Sequence, residues 1–226
     1  MKYLLLLACL YLTNCAVAQQ RDTIYLKRPN QLGHSIFIDT NPNSVFYNKI
    51  ANMDYTLRDS EYRESINRLN AYKAWPTKPI HNIEIPRNWC KLHLYQGKYY
   101  LYAPSDWSDL KISLNDSVLF EMAMEKTIYA NRNISKIGPN KYRLAPSSEY
   151  DGSKSTFEIY IFDPVKAIAV FKHVTLGKDM EAWTALMVDI NKIHQFPIIV
   201  NYTPQHKDME FRFDEPDYGA LLSPNK

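Results

Sequence analysis

Residues 91–125, KLHLYQGKYYLYAPSDWSDLKISLNDSVLFEMAME, decide the fold class. Leu92 and Leu94 alternate with Lys91 and His93, and the same alternation returns further along the stretch. A period of two places successive side chains on opposite faces of a β-strand. The Gln-Gly and Asn-Asp dipeptides between the alternating runs are turn sequences. The stretch therefore predicts adjacent antiparallel strands that are joined by short loops.

The same pattern continues to the candidate strand Met209–Phe213, which gives roughly eight to ten strands after residue 91. The connections are too short for the helical crossovers that a parallel sheet needs. We therefore predict a mainly β protein with an antiparallel up-and-down meander that closes into a barrel, the alternative being a two-sheet sandwich. Residues 179–193 fit either a helix or a strand, and we favour a strand over Trp183–Asp189. The chain from Pro216 to Lys226 is predicted to be a surface tail.

The segment before the barrel predicts one amphipathic helix at about residues 59–74. Tyr62, Ile66, Leu69 and Tyr72 recur at helical spacing. Pro76 cannot continue a helix, and it opens a proline-rich bridge to the β region. Three short strands are predicted before this helix, at Thr23–Leu26, Ser35–Asp39 and Ser44–Tyr47.

The first residues predict export from the cytoplasm. One lysine, an uncharged apolar run and an Ala-Val-Ala exit are typical of a signal peptide over residues 1–18. Residues 19–226 would then form a single secreted or periplasmic β-rich domain, with no transmembrane segment after cleavage. As an alternative, the Leu-Thr-Asn-Cys sequence ending at Cys15 resembles a bacterial lipoprotein box. That resemblance departs from the pattern at Asn14 and implies a membrane tether through Cys15.

Composition excludes several function classes. The chain has 226 residues, of which 46% are hydrophobic, and its formal net charge of +3 is too small and too mixed to predict nucleic-acid binding. The chain has only six glycines and contains no glycine-rich phosphate-binding motif. No serine lies in the Gly-x-Ser-x-Gly sequence of a nucleophile elbow. Cys90 and His93 form a C-x-x-H pair, but this spacing on a strand places the two side chains on opposite faces. We therefore predict no catalytic residue, no metal site and no cofactor.

The aromatic content gives the candidate binding residues. Tyr95, Tyr100, Tyr102 and Trp107 lie close together in the sequence, and each combines an apolar ring with a polar tip. Such a cluster suits stacking against a sugar or another protein, although ordinary cross-strand packing explains it as well. The sequence thus favours a non-enzymatic secreted or periplasmic β-barrel that binds a small apolar molecule, a glycan or an envelope component. The alternatives are an envelope-associated hydrolase and a protein–protein interaction or inhibitor module.

Overall fold

The computed structural model describes residues 23–53, 59–71, 84–105, 107, 109–115, 117–123, 126–131, 133–148, 153–176, 182–204 and 210–223. The predicted signal peptide over residues 1–18, Cys15 and most of the proline-rich bridge lie outside the described residues.

The described residues form fourteen strands and a few short helices. The strands are β1 Ile24–Lys27, β2 Ser35–Asp39, β3 Asn88–Tyr95, β4 Lys98–Ala103, β5 Lys111–Leu114, β6 Val118–Met122, β7 Lys126–Ala130, β8 Ile134–Gly138, β9 Lys141–Leu144, β10 Ser147–Ser148, β11 Lys154–Asp163, β12 Ile168–Leu176, β13 Ala182–Asp189 and β14 Ile198–Tyr202. The helices are α1 Val45–Ala51, α2 Asp59–Ala71 and α3 Tyr218–Leu222, with a 3₁₀ helix at Ile190–Gln195. None of these helices combines the length and the apolar character needed to cross a bilayer.

Eight antiparallel strands close into a barrel, which confirms the predicted fold class. The order around the ring is β3-β13-β12-β11-β10-β7-β6-β5, and β5 returns to pair with β3. Apart from β3, the strands of the ring follow the order of the chain, and most neighbouring strands form successive hairpins. Two segments of the chain lie outside the ring. The first of these segments is β4, and the second is the β8–β9 hairpin, in which β9 pairs with β11.

Strand β3 divides one of its edges between two partners. Its first half pairs with β5, through Trp89 and Ile112, and its second half pairs with β4, through His93 and Tyr100. The β3–β4 turn holds Gln96 and Gly97 at positive φ, as two-residue hairpin turns require. The first half of β4 pairs with β3, and its second half pairs in parallel with β14. Strand β4 thereby begins a second sheet in the order β4-β14-β2-β1.

The inside of the barrel is packed with large apolar side chains. Trp89, Phe157 and Phe171 are fully buried there, together with aliphatic residues from the surrounding strands. The rings of Trp89 and Phe171 meet edge-on at 5.1 Å between centroids. An eight-stranded barrel is just wide enough for such side chains to fill it.

A second core lies between the barrel wall and the second sheet. Leu92 and Val188 on the outer side of the barrel pack with Leu101 and Val200 of the second sheet. Helix α1 covers one margin of this layer, and the Tyr47 hydroxyl donates a hydrogen bond to the carbonyl of Phe196 at 2.5 Å. Both faces of this part of the barrel wall are therefore buried.

Helix α2 confirms the predicted amphipathic helix over residues 59–71, and residues 72–74 of that prediction lie outside the described residues. Its apolar side packs on the outside of the barrel, where Leu69 is fully buried against Val118 and Ile128. Its polar side carries an exposed ion pair between Glu64 and Arg68, four residues apart.

Three local predictions have different outcomes. Ser44–Tyr47 is not a strand, because the Ser44 hydroxyl accepts a hydrogen bond from Phe46 N–H and caps the start of α1. The described residues after Pro216 lie at the surface, as predicted, but they include α3, whose Tyr218, Leu221 and Leu222 pack against the second core. The ambiguous segment contains strand β13, as favoured, followed by the 3₁₀ helix that Asp189 caps.

The buried imidazole of His173 predicts a loss of stability in acid. The ring is 3% exposed inside the barrel and stacks on Phe157 at 4.1 Å, and burial lowers its pKa to about 4. In the unfolded chain a histidine titrates near pH 6.5, so the unfolded state binds more protons between pH 6.5 and 4. Stability is therefore complete above this window and falls by about 3 kcal/mol as the pH drops through it.

The variant His173→Phe should lack this contribution while keeping the aromatic packing. Urea unfolding at pH 7 and pH 4 measures the change, and the exposed His194→Gln is the control. The prediction fails when His173→Phe loses as much stability between the two pH values as the wild type does.

Candidate ligand-binding cleft

A cleft of about 320 Å³ lies outside the barrel, beside the second half of β3. One side is formed by β3 and by Tyr102 and Trp107, and the other by residues 210–217, which we call the strap. Trp107 lies on the loop between β4 and β5. This loop connects two strands that pair with different halves of the same edge of β3. The division of β3 therefore creates one wall of the cleft.

The strap is held to β3 by polar contacts at Asp214. Its N–H donates to the carbonyl of Leu94 at 2.9 Å, and its carboxylate accepts from Gln96 N–H at 2.6 Å. Met209 lies outside the described residues, and the predicted strand Met209–Phe213 does not form over residues 210–213, which belong to no strand. Their side chains, rather than a ladder of backbone hydrogen bonds, fix them to the protein.

Aromatic rings attach the strap to β3 and β4. Phe213 stacks on His93 with 4.0 Å between ring centroids, and it meets Tyr102 edge-on at 5.1 Å. Phe211 meets Tyr95 edge-on at 5.0 Å. Edge-to-face and offset-stacked pairs of this kind add to the free energy gained by burial alone.

The structure separates the four predicted binding residues into two pairs. Tyr102 and Trp107 line the cleft. Tyr95 and Tyr100 do not line it, although all four residues belong to the apolar cluster beneath the strap. Tyr102 is 4% exposed and Tyr100 is 7% exposed, so the half-buried indole of Trp107 is the more accessible of the two rings that line the cleft.

Glu210 joins the two predicted residues that line the cleft. One carboxylate oxygen accepts a hydrogen bond from the Tyr102 hydroxyl, and the other accepts from the Trp107 indole N–H at 2.5 Å. Burial raises the pKa of the Tyr102 phenol, and the hydrogen bond to Glu210 raises it further. The phenol therefore stays protonated and continues to donate.

His93, which lines the cleft, pairs with the carboxylate of Asp109, which does not line it. His93 Nε2 is 2.5 Å from Asp109 Oδ2, and each side chain is 10% exposed. Asp109 is held in turn by Leu110 N–H, which donates to its other oxygen at 2.9 Å. Such a pair can fix the imidazole tautomer and can move a proton.

The cleft is acidic, although the whole chain is slightly basic. Glu210, Asp214 and Glu215 all line it from the strap, and the lining also includes Lys91. Within the described part of the chain, these three carboxylates form no ion pair with lysine, arginine or histidine. Their charges favour a ligand that donates hydrogen bonds over a ligand that carries negative charge.

A smaller neighbouring cavity of about 30 Å³ contains Cys90 and Lys111. Burial raises the pKa of the Cys90 thiol to about 12, so it is a neutral side chain and a poor nucleophile at neutral pH. The Lys111 ammonium donates to the carbonyls of Lys49 and Asn52 and so holds the end of α1. Cys90 faces the second core, whereas His93 lies on the opposite face of β3. Among the described residues, no three His, Cys, Asp or Glu side chains converge as metal ligands would.

The stacking of Phe213 on His93 should contribute to the stability of the strap. Phe213→Ala should lower the free energy of unfolding by about 2 kcal/mol, less than full burial would give, because the ring is only half-buried. Hydrogen exchange at the Asp214 amide should also become faster, since that amide lies next to the lost ring. Phe120→Ala is the control, because Phe120 is also partly buried but packs in the separate cluster beneath α2. Unchanged exchange at Asp214 in Phe213→Ala would show that the ring does not hold the strap.

Comparison with known proteins found no family model, no curated protein and no solved structure that matches this chain.

Proposed function

We propose that the protein is a non-enzymatic binding protein whose ligand, a glycan, occupies the cleft under the strap. The main support is the way the cleft combines aromatic rings with hydrogen-bonding carboxylates. The Trp107 indole and the Phe211 ring offer apolar faces, while Glu210 and Asp214 offer acceptors beside them. Sugars present both kinds of surface, since their ring C–H groups stack on aromatics and their hydroxyls donate to carboxylates.

Charge favours a glycan over the other ligands that the sequence left open. A small apolar molecule would cover Glu210 and Glu215 without offering them hydrogen bonds, and burying an unpaired carboxylate is strongly unfavourable. A sugar replaces the lost water contacts with its own hydroxyls. The envelope component of the sequence prediction would then be a saccharide of the cell envelope.

The packing of the barrel favours a site outside it. Trp89, Phe157 and Phe171 occupy the interior with no exposed surface, so a ligand there would have to displace them. The volume of the cleft, about 320 Å³, lies within the range of small-molecule sites and needs no such displacement.

A glycan array tests this proposal directly. We expect the wild-type protein to bind a subset of neutral or N-acetylated oligosaccharides, and Trp107→Ala to bind them about tenfold more weakly or worse. Tyr202→Ala is the control, because Tyr202 is a solvent-accessible aromatic residue that does not line the cleft. The proposal fails when the wild type binds no glycan, or when both variants lose binding to the same extent.

The pair of His93 and Asp109 favours a second candidate function, hydrolysis of a ligand in the same cleft. A neutral His93 that donates from Nε2 to Asp109 keeps Nδ1 as a proton acceptor, which is what a general base requires. The wild type, His93→Gln and Asp109→Asn can be compared with p-nitrophenyl acetate as the substrate. The binding proposal predicts equal background rates for all three. A wild-type rate that falls at least tenfold in both variants would favour the hydrolase.

The compartment is part of the proposal. A binding protein for envelope glycans belongs in the secreted or periplasmic fraction, which agrees with the signal sequence predicted over residues 1–18. Mass spectrometry of the mature protein should find Gln19 at the N-terminus. An acylated Cys15 would instead identify a membrane-tethered lipoprotein, and an intact Met1 would contradict export.

A further inference from the structure

A row of five polar side chains crosses the second sheet and ends at the cleft. Lys27 Nζ lies 2.9 Å from His34 Nδ1, and His34 Nε2 lies 2.8 Å from Asn201 Oδ1. Asn201 Nδ2 then donates to the Tyr102 hydroxyl at 3.1 Å, and that hydroxyl donates to Glu210. The row therefore links β1, on the far side of the sheet, to the strap.

The middle of the row is buried. His34 and Asn201 are each 1% exposed, and neither lines the cleft. Neighbouring strands place these residues together. Ile36 of β2 pairs with Asn201 of β14, and Ile199, on the same face of β14 as Asn201, pairs with Tyr102 of β4. Buried polar groups of this kind must be hydrogen-bonded, so each member restricts the orientation of the next.

The chemistry of the two ends gives the row a single direction. An ammonium group can only donate, so Lys27 requires His34 Nδ1 to be the acceptor and Nε2 to carry the proton. His34 then donates to the Asn201 carbonyl, and this orients the Asn201 amide group toward Tyr102. A carboxylate can only accept, so the last proton of the row points at Glu210.

Glu210 is thus fixed from two sides while it faces the cleft. Tyr102 holds one oxygen and the Trp107 indole holds the other, and each carboxylate oxygen has a further lone pair for another donor. Glu210 is otherwise an exposed side chain, which would sample several rotamers without these two contacts.

We propose that Glu210 is the carboxylate that accepts hydrogen bonds from the ligand, and that His34 and Asn201 are positioning residues that set its orientation from outside the cleft. This inference rests on the proposed function, since it assigns the residues that make the same cleft selective. A carboxylate held in one rotamer favours hydroxyl pairs with matching geometry, because no side-chain entropy is lost when the ligand binds. The selectivity of the cleft would then depend on residues that no ligand touches.

The tautomer of His34 tests the direction of the row without any ligand. Long-range ¹H–¹⁵N spectra distinguish a protonated Nε2 from a protonated Nδ1. We expect a neutral ring with the proton on Nε2. A proton on Nδ1, or on both nitrogens at neutral pH, would reverse or break the row and overturn the inference.

The variant Asn201→Asp tests the positioning role. The new carboxylate has nearly the same shape but cannot donate to Tyr102, so the single Tyr102 proton is shared between it and Glu210. Tyr100→Phe is the matched control. Tyr100 is a buried tyrosine on β4, the strand that carries Tyr102, but it does not belong to the row. We expect the Trp107 indole N–H resonance, assigned with Trp107→Phe, to shift in Asn201→Asp and to stay in place in Tyr100→Phe. An unmoved indole resonance in Asn201→Asp would overturn the inference.

Lys27→Met provides a second variant in case Asn201→Asp does not fold. Lys27 is exposed, so its replacement does not disturb the core, yet it removes the cation that fixes the His34 tautomer. The same indole resonance should shift in this variant, and mixed tautomers of His34 should appear. Unchanged His34 and Trp107 resonances in Lys27→Met would contradict the directed row.

The glycan array then separates this inference from the proposed function. We expect binding to fall about tenfold in Glu210→Gln and in Asn201→Asp, and to remain unchanged in Tyr100→Phe. If the wild type binds a glycan and Asn201→Asp binds it equally well, the positioning role of His34 and Asn201 is overturned, and the proposed function stands. A wild type that binds no glycan on the array would overturn the proposed function and, with it, the role assigned to Glu210.

Discussion

The division of one edge of β3 between β5 and β4 is the constraint on which the rest of the structure depends. Pairing with β5 closes the barrel, and pairing with β4 starts the second sheet. A strand has only two edges, and the other edge of β3 is already taken by β13. The chain between β4 and β5 must therefore leave the sheet. It carries Trp107, which lines the cleft, and Asp109, which pairs with His93.

The alternation of side chains predicted the strands well but not always which of their faces points into the barrel. Leu92 and Val118 belong to the apolar faces of their strands, yet both point away from the barrel interior. The opposite faces hold Trp89 and Leu119, which fill the interior. A period of two identifies two faces, and it cannot tell which is inside when the second sheet or α2 covers the outer one. The barrel was predictable from the hairpins, whereas the layers around it depend on contacts distant in sequence.

The candidate site was predictable only where it is local. Tyr102 and Trp107 belong to a visible aromatic cluster, and the structure brings them to one cleft. Glu210 is more than one hundred residues from both and carries no motif, so its contacts with them arise only from the fold. The same holds for Asp109, which reaches His93 because β4 and its loop return along β3. Nothing in the local pattern marks either carboxylate as different from a solvated surface residue.

Interstrand NOEs from β3 test the central claim most directly. The account predicts that one protein sample shows backbone NOEs between Trp89 and Ile112 and also between His93 and Tyr100. The first set reports closure of the barrel, and the second reports the start of the second sheet. If the first set were absent while β4 remained paired along the whole of β3, the barrel would be open, and the loop that carries Trp107 would have no reason to leave the sheet.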